Sequence, residues 1–187
     1  MTDDGVQQVT ETQVLAAMTH PLRRRILDVL KVDGPSTVSA LAGRLGQQPA
    51  NVSHHLRVLR DGGLVEPAPE LVRDRRESWW RLVSSGLRWS SRDFEDEVVV
   101  EAAQMLNLEH HAGLVRTWLA ADEEQREAWG DGPFSSDKWL RLTPDELAEL
   151  SREVVGLFDR WAQRDVPDDG ETREPVFLFA FGVPAQP

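Results

Sequence analysis

The 187-residue chain has no cysteine and no tyrosine, and only 2 of its basic residues are lysines. Without cysteine, disulfides, thiolate metal sites and thiol redox sensing are all excluded. No apolar run approaches the ~20 residues of a membrane-spanning helix. The N-terminal stretch MTDDGVQQVTETQ is acidic and polar, unlike a signal peptide. A cytoplasmic protein that does not engage a membrane is expected. The chain also lacks a P-loop, a Gly-rich dinucleotide fingerprint, a zinc-protease histidine pair and a nucleophile elbow. Acid pairs such as Asp168-Asp169 read as solvated loop, so no enzyme is expected. Histidines 110 and 111 are adjacent and point about 100° apart on a helix. Neither has a histidine or carboxylate three or four residues away, and His20 precedes a proline. A divalent ion wants several ligands at set spacing, so metal sensing is the weaker expectation and no cofactor is implied.

What the chain does contain is charge, unevenly spread. The formal net charge is −11, yet residues 20–92 hold 13 basic and 7 acidic groups, a net +6, and the remainder carries −17. A basic segment among acidic ones fits a DNA-contacting module joined to a part that stays off DNA.

Apolar spacing and stop signals divide the chain. Residues 1–9 read as a disordered N-terminus, 10–90 as a winged helix-turn-helix domain, and 91–187 as a helical dimerisation and effector region ending in a strand. The fold class is mainly α with a small β-wing. The first two helices are expected over 10–19 and 21–32, the second entered at Pro21 and stopped by Asp33-Gly34-Pro35. Ser36 or Thr37 caps a third helix that ends at Gly46. A fourth runs from Pro49 to Asp61 and closes at Gly62-Gly63. The short glycine-containing turn between the third and fourth is a helix-turn-helix signature. Extended runs follow at Leu64-Val65 and 77–83, with Val72–Arg76 as the hairpin tip and 87–90 as a short third strand. Long helices are expected over 93–121 and 144–164, the latter opened by Thr143-Pro144-Asp145-Glu146, a capping-box start. A loop with a short helix lies between them. Val176–Phe181 (VFLFAF) reads as a strand buried on both faces, with no sequence-adjacent partner; it must pair with the wing or a second subunit.

On the fourth helix Val52, Leu56 and Leu59 point to the core, while Ala50, Ser53, His54 and Arg57 point outward. That outer face is small, hydroxylic and cationic. Gln48 and Asn51 at its start have amides suited to adenine, and Arg57 suits guanine. Ser53 and Arg57 serve equally as phosphate ligands. Arg73, Arg75 and Arg76 on the wing tip can follow the backbone or enter the minor groove. Gln48, Asn51, Ser53, His54, Arg57, Arg73, Arg75 and Arg76 are the candidate DNA contacts. His55 falls beside Val52 and Leu59, which favours a structural role.

Residues 15–83 resemble the ArsR-like family of bacterial winged-helix regulators, through LAAMTHPLRRRIL, SALAGRL, NVSHHLRVLRDGGLV and the wing stretch RRESWWRLV. The rest of the chain is similar to longer members with an added C-terminal helical region. The resemblance implies a homodimeric repressor that occupies a palindromic operator in double-stranded DNA and leaves it on binding a signal.

Phe94, Val98, Met105, Leu108, Ala112, Val115 and Leu119 recur at alternating spacings of four and three along 93–121, a heptad stripe interrupted by Glu101. The stripe is on the order of 37 Å long. It is a candidate dimer seam, or the surface that packs against the 144–164 helix. The 7 tryptophans allow a second site: Trp80, Trp89, Trp118, Trp139 and Trp161 could line a pocket for a small organic effector, simply fill cores, or form an interaction surface for another protein. A ligand-independent regulator, or an adaptor whose winged helix contacts a protein, remain as alternatives.

Overall fold

The computed structural model describes residues 6–8, 12–74, 77–84, 86–88 and 97–186. The chain forms two compact units, Met1–Ala112 and Gly113–Pro187.

In the first unit, β1 (Val6–Gln8) precedes α1 (Thr12–Met18) and α2 (Pro21–Asp33). The His20 side chain caps α2 by accepting from the Leu22 N–H at 3.1 Å, and Pro21 occupies the first turn. Then come β2 (Ser36–Thr37), α3 (Val38–Leu45) and α4 (Pro49–Asp61). Thr37 caps α3 through the Ala40 N–H, and Gly46 ends it at φ 64°, in the left-handed region that favours glycine. α4 spans the residues expected of it.

The core is continuous. Leu15 of α1, Ile26 and Leu27 of α2, Leu41 of α3, and Val52, Leu56 and Leu59 of α4 are all buried within it. α1 and α4 approach closely at Gly62, where a Cβ would lie 3.0 Å from that of Ala17. This proximity gives the Gly62-Gly63 stop a packing reason in addition to its helix-ending one.

The wing is a three-stranded antiparallel sheet in the order β2–β4–β3, with β3 at Val65–Pro67 and β4 at Trp79–Leu82. Ser36 pairs with Trp80, and Glu66 with Arg81. Its third strand is thus β2, whose second residue caps α3, and not the one expected after the hairpin. That segment does form a strand, β5 (Gly86–Arg88), but it pairs in parallel with β1. A strand therefore stands within a stretch read as disordered from composition. Polarity in isolation gave no sign of a partner 80 residues away.

α5 (Glu97–Leu119) starts in the first unit and ends in the second. Val100 and Ala103 join the core, with Val99 packed against it. The heptad stripe faces elsewhere. Val98 is 76% and Met105 60% exposed, and Leu108, Val115 and Leu119 are exposed as well. Phe94 lies outside the described residues.

The second unit holds α6 (Glu123–Trp129) and α7 (Pro144–Ala162). The capping box at Thr143 is complete: its hydroxyl accepts from the Glu146 N–H, and the Glu146 carboxylate accepts from the Thr143 N–H at 2.7 Å. The expectation of a doubly buried strand at Val176–Phe181 is corrected. The segment has no regular structure, and its side chains are exposed, Phe181 to 62%. A strand needs a neighbour for its N–H and C=O groups, and no described strand pairs with this run. Among the described residues no helix is long and apolar enough to cross a membrane.

Candidate nucleic-acid interface

α4 is amphipathic by its sequence, and the fold uses it that way. Val52, Leu56 and Leu59 are wholly buried, whereas Ala50, Asn51, His54 and Arg57 are exposed and Ser53 half-buried. The structure thus gathers Asn51, Ser53, His54 and Arg57 on one helix, with Gln48 at its entrance. The Gln48 side chain does not cap the helix, so its amide is not committed to the helix end.

Two local contacts shape this face. The Asn51 amide donates to Gln47 Oε1 at 3.0 Å, which fixes the orientation of Asn51. The Arg57 Nε donates to the Ser53 carbonyl at 3.2 Å, laying the guanidinium back along the helix. Arg60, one turn on, is paired with Asp61 at 2.8 Å. Among the described residues, Arg57 is therefore the arginine of α4 that is not paired with a neighbouring carboxylate.

His55 is buried, 7% exposed, with its ring 4.4 Å from that of His20 and 5.3 Å from that of His54. Burial pushes the pKa of His55 down, and the charges of His20, Arg23 and His54 add to the effect. His20 is lowered in the same way, by burial first and then by Arg23 and His54. Both rings are thus held neutral at neutral pH, so the Nδ1 of His20 remains an acceptor for its cap. This cluster, and Gln47, escaped sequence reasoning. His20 lies 35 positions from His55, and only the packing of α2 on α4 unites them.

On the wing, Arg81 is held by Glu66 at 2.7 Å and also by Glu70. Glu77 accepts from the Trp79 indole at 3.0 Å and from the Arg73 backbone N–H at 3.3 Å. The second contact ties the start of the wing tip to its return strand and presents the Arg73 side chain to solvent. Arg75 and Arg76 lie outside the described residues, as does Trp89. Of the other tryptophans proposed for a pocket, Trp80 is buried in the first unit. Trp118, Trp139 and Trp161 belong to the second, where Trp139 and Trp161 are exposed. Among the described residues no group of three or more histidines and carboxylates is placed to hold a metal ion.

α2 and α5 are joined by polar contacts that no spacing rule predicts. His110 Nε2 and Asp28 Oδ2 lie 2.6 Å apart, and Arg24 donates to the Asn107 side chain. Burial raises the Asp28 pKa, but the hydrogen bond and charge of His110, with Lys31 and Arg24, outweigh it and hold the carboxyl below its usual value.

Residues 18–68 match a family model described as a helix-turn-helix domain. No curated protein matches the chain. Among solved structures it is similar to the homodimeric winged helix-turn-helix DNA-binding domain of a possible ArsR-family regulator from Mycobacterium bovis. The two share 25% identity over 51% of this chain and 73% of that one, at a TM-score of 0.34. It is also similar to reduced HlyU from Vibrio cholerae (25% identity, 55% and 87% covered, TM-score 0.36). A third likeness is to the transcriptional repressor BigR from Xylella fastidiosa (25%, 54% and 82%, 0.34).

Proposed function

We propose that this winged helix-turn-helix protein, which resembles the ArsR-family regulators, is a sequence-specific DNA-binding transcription regulator. It acts as a homodimer that represses by occupying an operator and is released by a small-molecule signal. The observation that carries this reading is the two-sided α4. Its apolar side is sealed into the core, and its outer side offers Gln48, Asn51, Ser53, His54 and Arg57. A helix with small residues and amides at its N-terminal end fits a major groove, with Arg57 and Arg73 for phosphates or guanine edges.

The outward row on α5 supports the dimer. Val98, Met105, Leu108 and Val115 are exposed in the single chain, and a two-fold DNA site calls for a second copy to cover them. Ala112 is half-buried in the same row.

The test is selection of genomic DNA fragments by the full chain at near-physiological salt. One imperfect palindrome with half-sites about 34 Å apart is expected, bound with steep salt dependence. Replacing Arg57 and Arg73 together by alanine is expected to weaken binding at least about tenfold. Met105→Glu is expected to lower the solution mass from dimer to monomer and abolish the preference for the palindrome. DNA affinity indifferent to the arginine changes would instead make the winged helix a protein-contact module. A dimer mass unmoved by Met105→Glu would place the seam elsewhere.

A further inference from the structure

Within the first unit, residues of α1, α2 and α5 line a partly open pocket of about 130 Å³. Its apolar wall includes Leu15, Met18, Ala103 and Leu106. A cavity of roughly 150 Å³ lined by aliphatic side chains accommodates benzene, so the space here suits a ligand of about that bulk. The polar side of the wall is unusual. Arg24 lies in the lining and donates to Asn107, while its Nε is closed off from the space and has no hydrogen-bond partner among the described residues. The nearby carboxylate of Asp28 is engaged by His110. A guanidinium in the lining of an otherwise apolar space is best complemented by an anionic acceptor. Glu109, exposed at the lining, would repel a second negative charge on the ligand.

We propose that this pocket binds a small organic monocarboxylate with an apolar body of about benzene size. The carboxylate meets Arg24, and the body lies against Leu15, Met18 and Leu106. The geometry also gives the ligand a route to the DNA-reading helix. His20 lines the pocket, caps α2 and packs against the ring of His55 of α4. A ligand that moves the His20 ring therefore moves the contact beneath the recognition helix. This regulatory step rests on the function proposed above; the binding itself does not.

The experiment uses the full chain and benzoate as probe, with benzyl alcohol, benzylamine and phthalate as neutral, cationic and dianionic controls, followed by calorimetry and ligand-observed NMR. Benzoate should bind saturably and at least tenfold more tightly than any control. Arg24→Gln should weaken benzoate at least tenfold and leave benzyl alcohol unchanged. Leu106→Trp, which fills the space without removing a charge, should block both ligands. Thermal melts establish that each variant is folded, and Leu106→Trp decides the matter if Arg24→Gln is not. The proposal is overturned by no saturable benzoate binding up to about 10 mM, by equal binding of the controls, or by benzoate binding that survives Leu106→Trp. DNA retention is measured in parallel on the selected operator. Benzoate binding with unchanged DNA affinity would keep the site and remove the His20 route. Specific DNA binding with no benzoate binding would keep the regulator and remove the site.

Discussion

The two units of the chain contain similar kinds of helix and treat them differently. In the first, α2, α3 and α4 each bury three or more side chains. In the second, α7 has a complete capping box and an apolar stripe of Leu147, Leu150, Val154, Leu157 and Trp161, yet buries none of them. Leu157 is 44% and Trp161 58% exposed. Capping and periodicity are local, and they suffice to start and orient a helix. Burial needs a second surface of matching shape. α4 meets α1, α2 and α3, whereas α7 buries no residue in the single chain. The difference separates helix formation from core formation within one molecule.

The largest test of this contrast is a pair of truncations. Leu56→Ala in α4 removes a wholly buried side chain and should cost about 2–5 kcal/mol, measured by urea denaturation. Leu157→Ala in α7 removes one that is partly exposed already, and its cost should be a small fraction of that. Equal costs would mean that the second unit acquires a core in solution, most simply through a second copy.

A smaller effect should isolate the local part. Thr143→Ala removes the hydroxyl that accepts from the Glu146 N–H and should destabilise the first turn of α7 by about 1 kcal/mol. Faster amide exchange at residues 145–147, with the melting of the first unit unchanged, is the expected outcome. A lowered melting temperature of the first unit would show that the two are coupled.

The smallest effect is pH dependence. His111 on α5 is pushed down to about 4, by burial first and then by the charges of Arg24 and His110. His20 and His55 are lowered as well. For a base with a lowered folded pKa, the unfolded chain takes up the proton first as pH falls. Their contribution should therefore be complete above about pH 6.5 and decline toward pH 4, where His111 itself becomes protonated in the folded state. Solvent screening at partly exposed rings keeps the loss modest. Stability measured across this range in His111→Gln should vary less steeply than in the parent, while Leu157→Ala should leave the slope unaltered.

Much of the first unit was legible from residues alone because its signals are local and redundant. Pro49, the Val52/Leu56/Leu59 spacing and Gly62-Gly63 all specify the same helix, and the close approach of Gly62 to Ala17 agrees with the stop. The candidate DNA face was legible for the same reason: once three positions of a helix face inward, the outward ones follow from the 3.6-residue period. The wing was only half legible. β4 is a hydrophobic run with an evident hairpin, but β2 is two residues, Ser36-Thr37, the second of which also caps a helix. Nothing in their composition marks a strand.

The failures share one cause. VFLFAF has strand composition, but no described strand pairs with it, and β1 has polar composition and does find one in β5. Pairing is a property of two segments, and composition describes one. The pocket beside Arg24 was likewise invisible, since its walls come from residues near 15–24 and 103–110.

The sequence by itself determined where most helices begin and end, which face of α4 is apolar, and that the positive charge is concentrated in the first half of the chain. Those properties depend on neighbours within a few positions, where the chain's own geometry sets the distances. Tertiary structure alone decided that β2 completes the wing, that His20 meets His55, that His110 reaches Asp28, and that Arg24 keeps a buried donor at the edge of a cavity. Each of these needs residues distant in sequence to be brought within a few ångströms, and only the packing of whole elements supplies that.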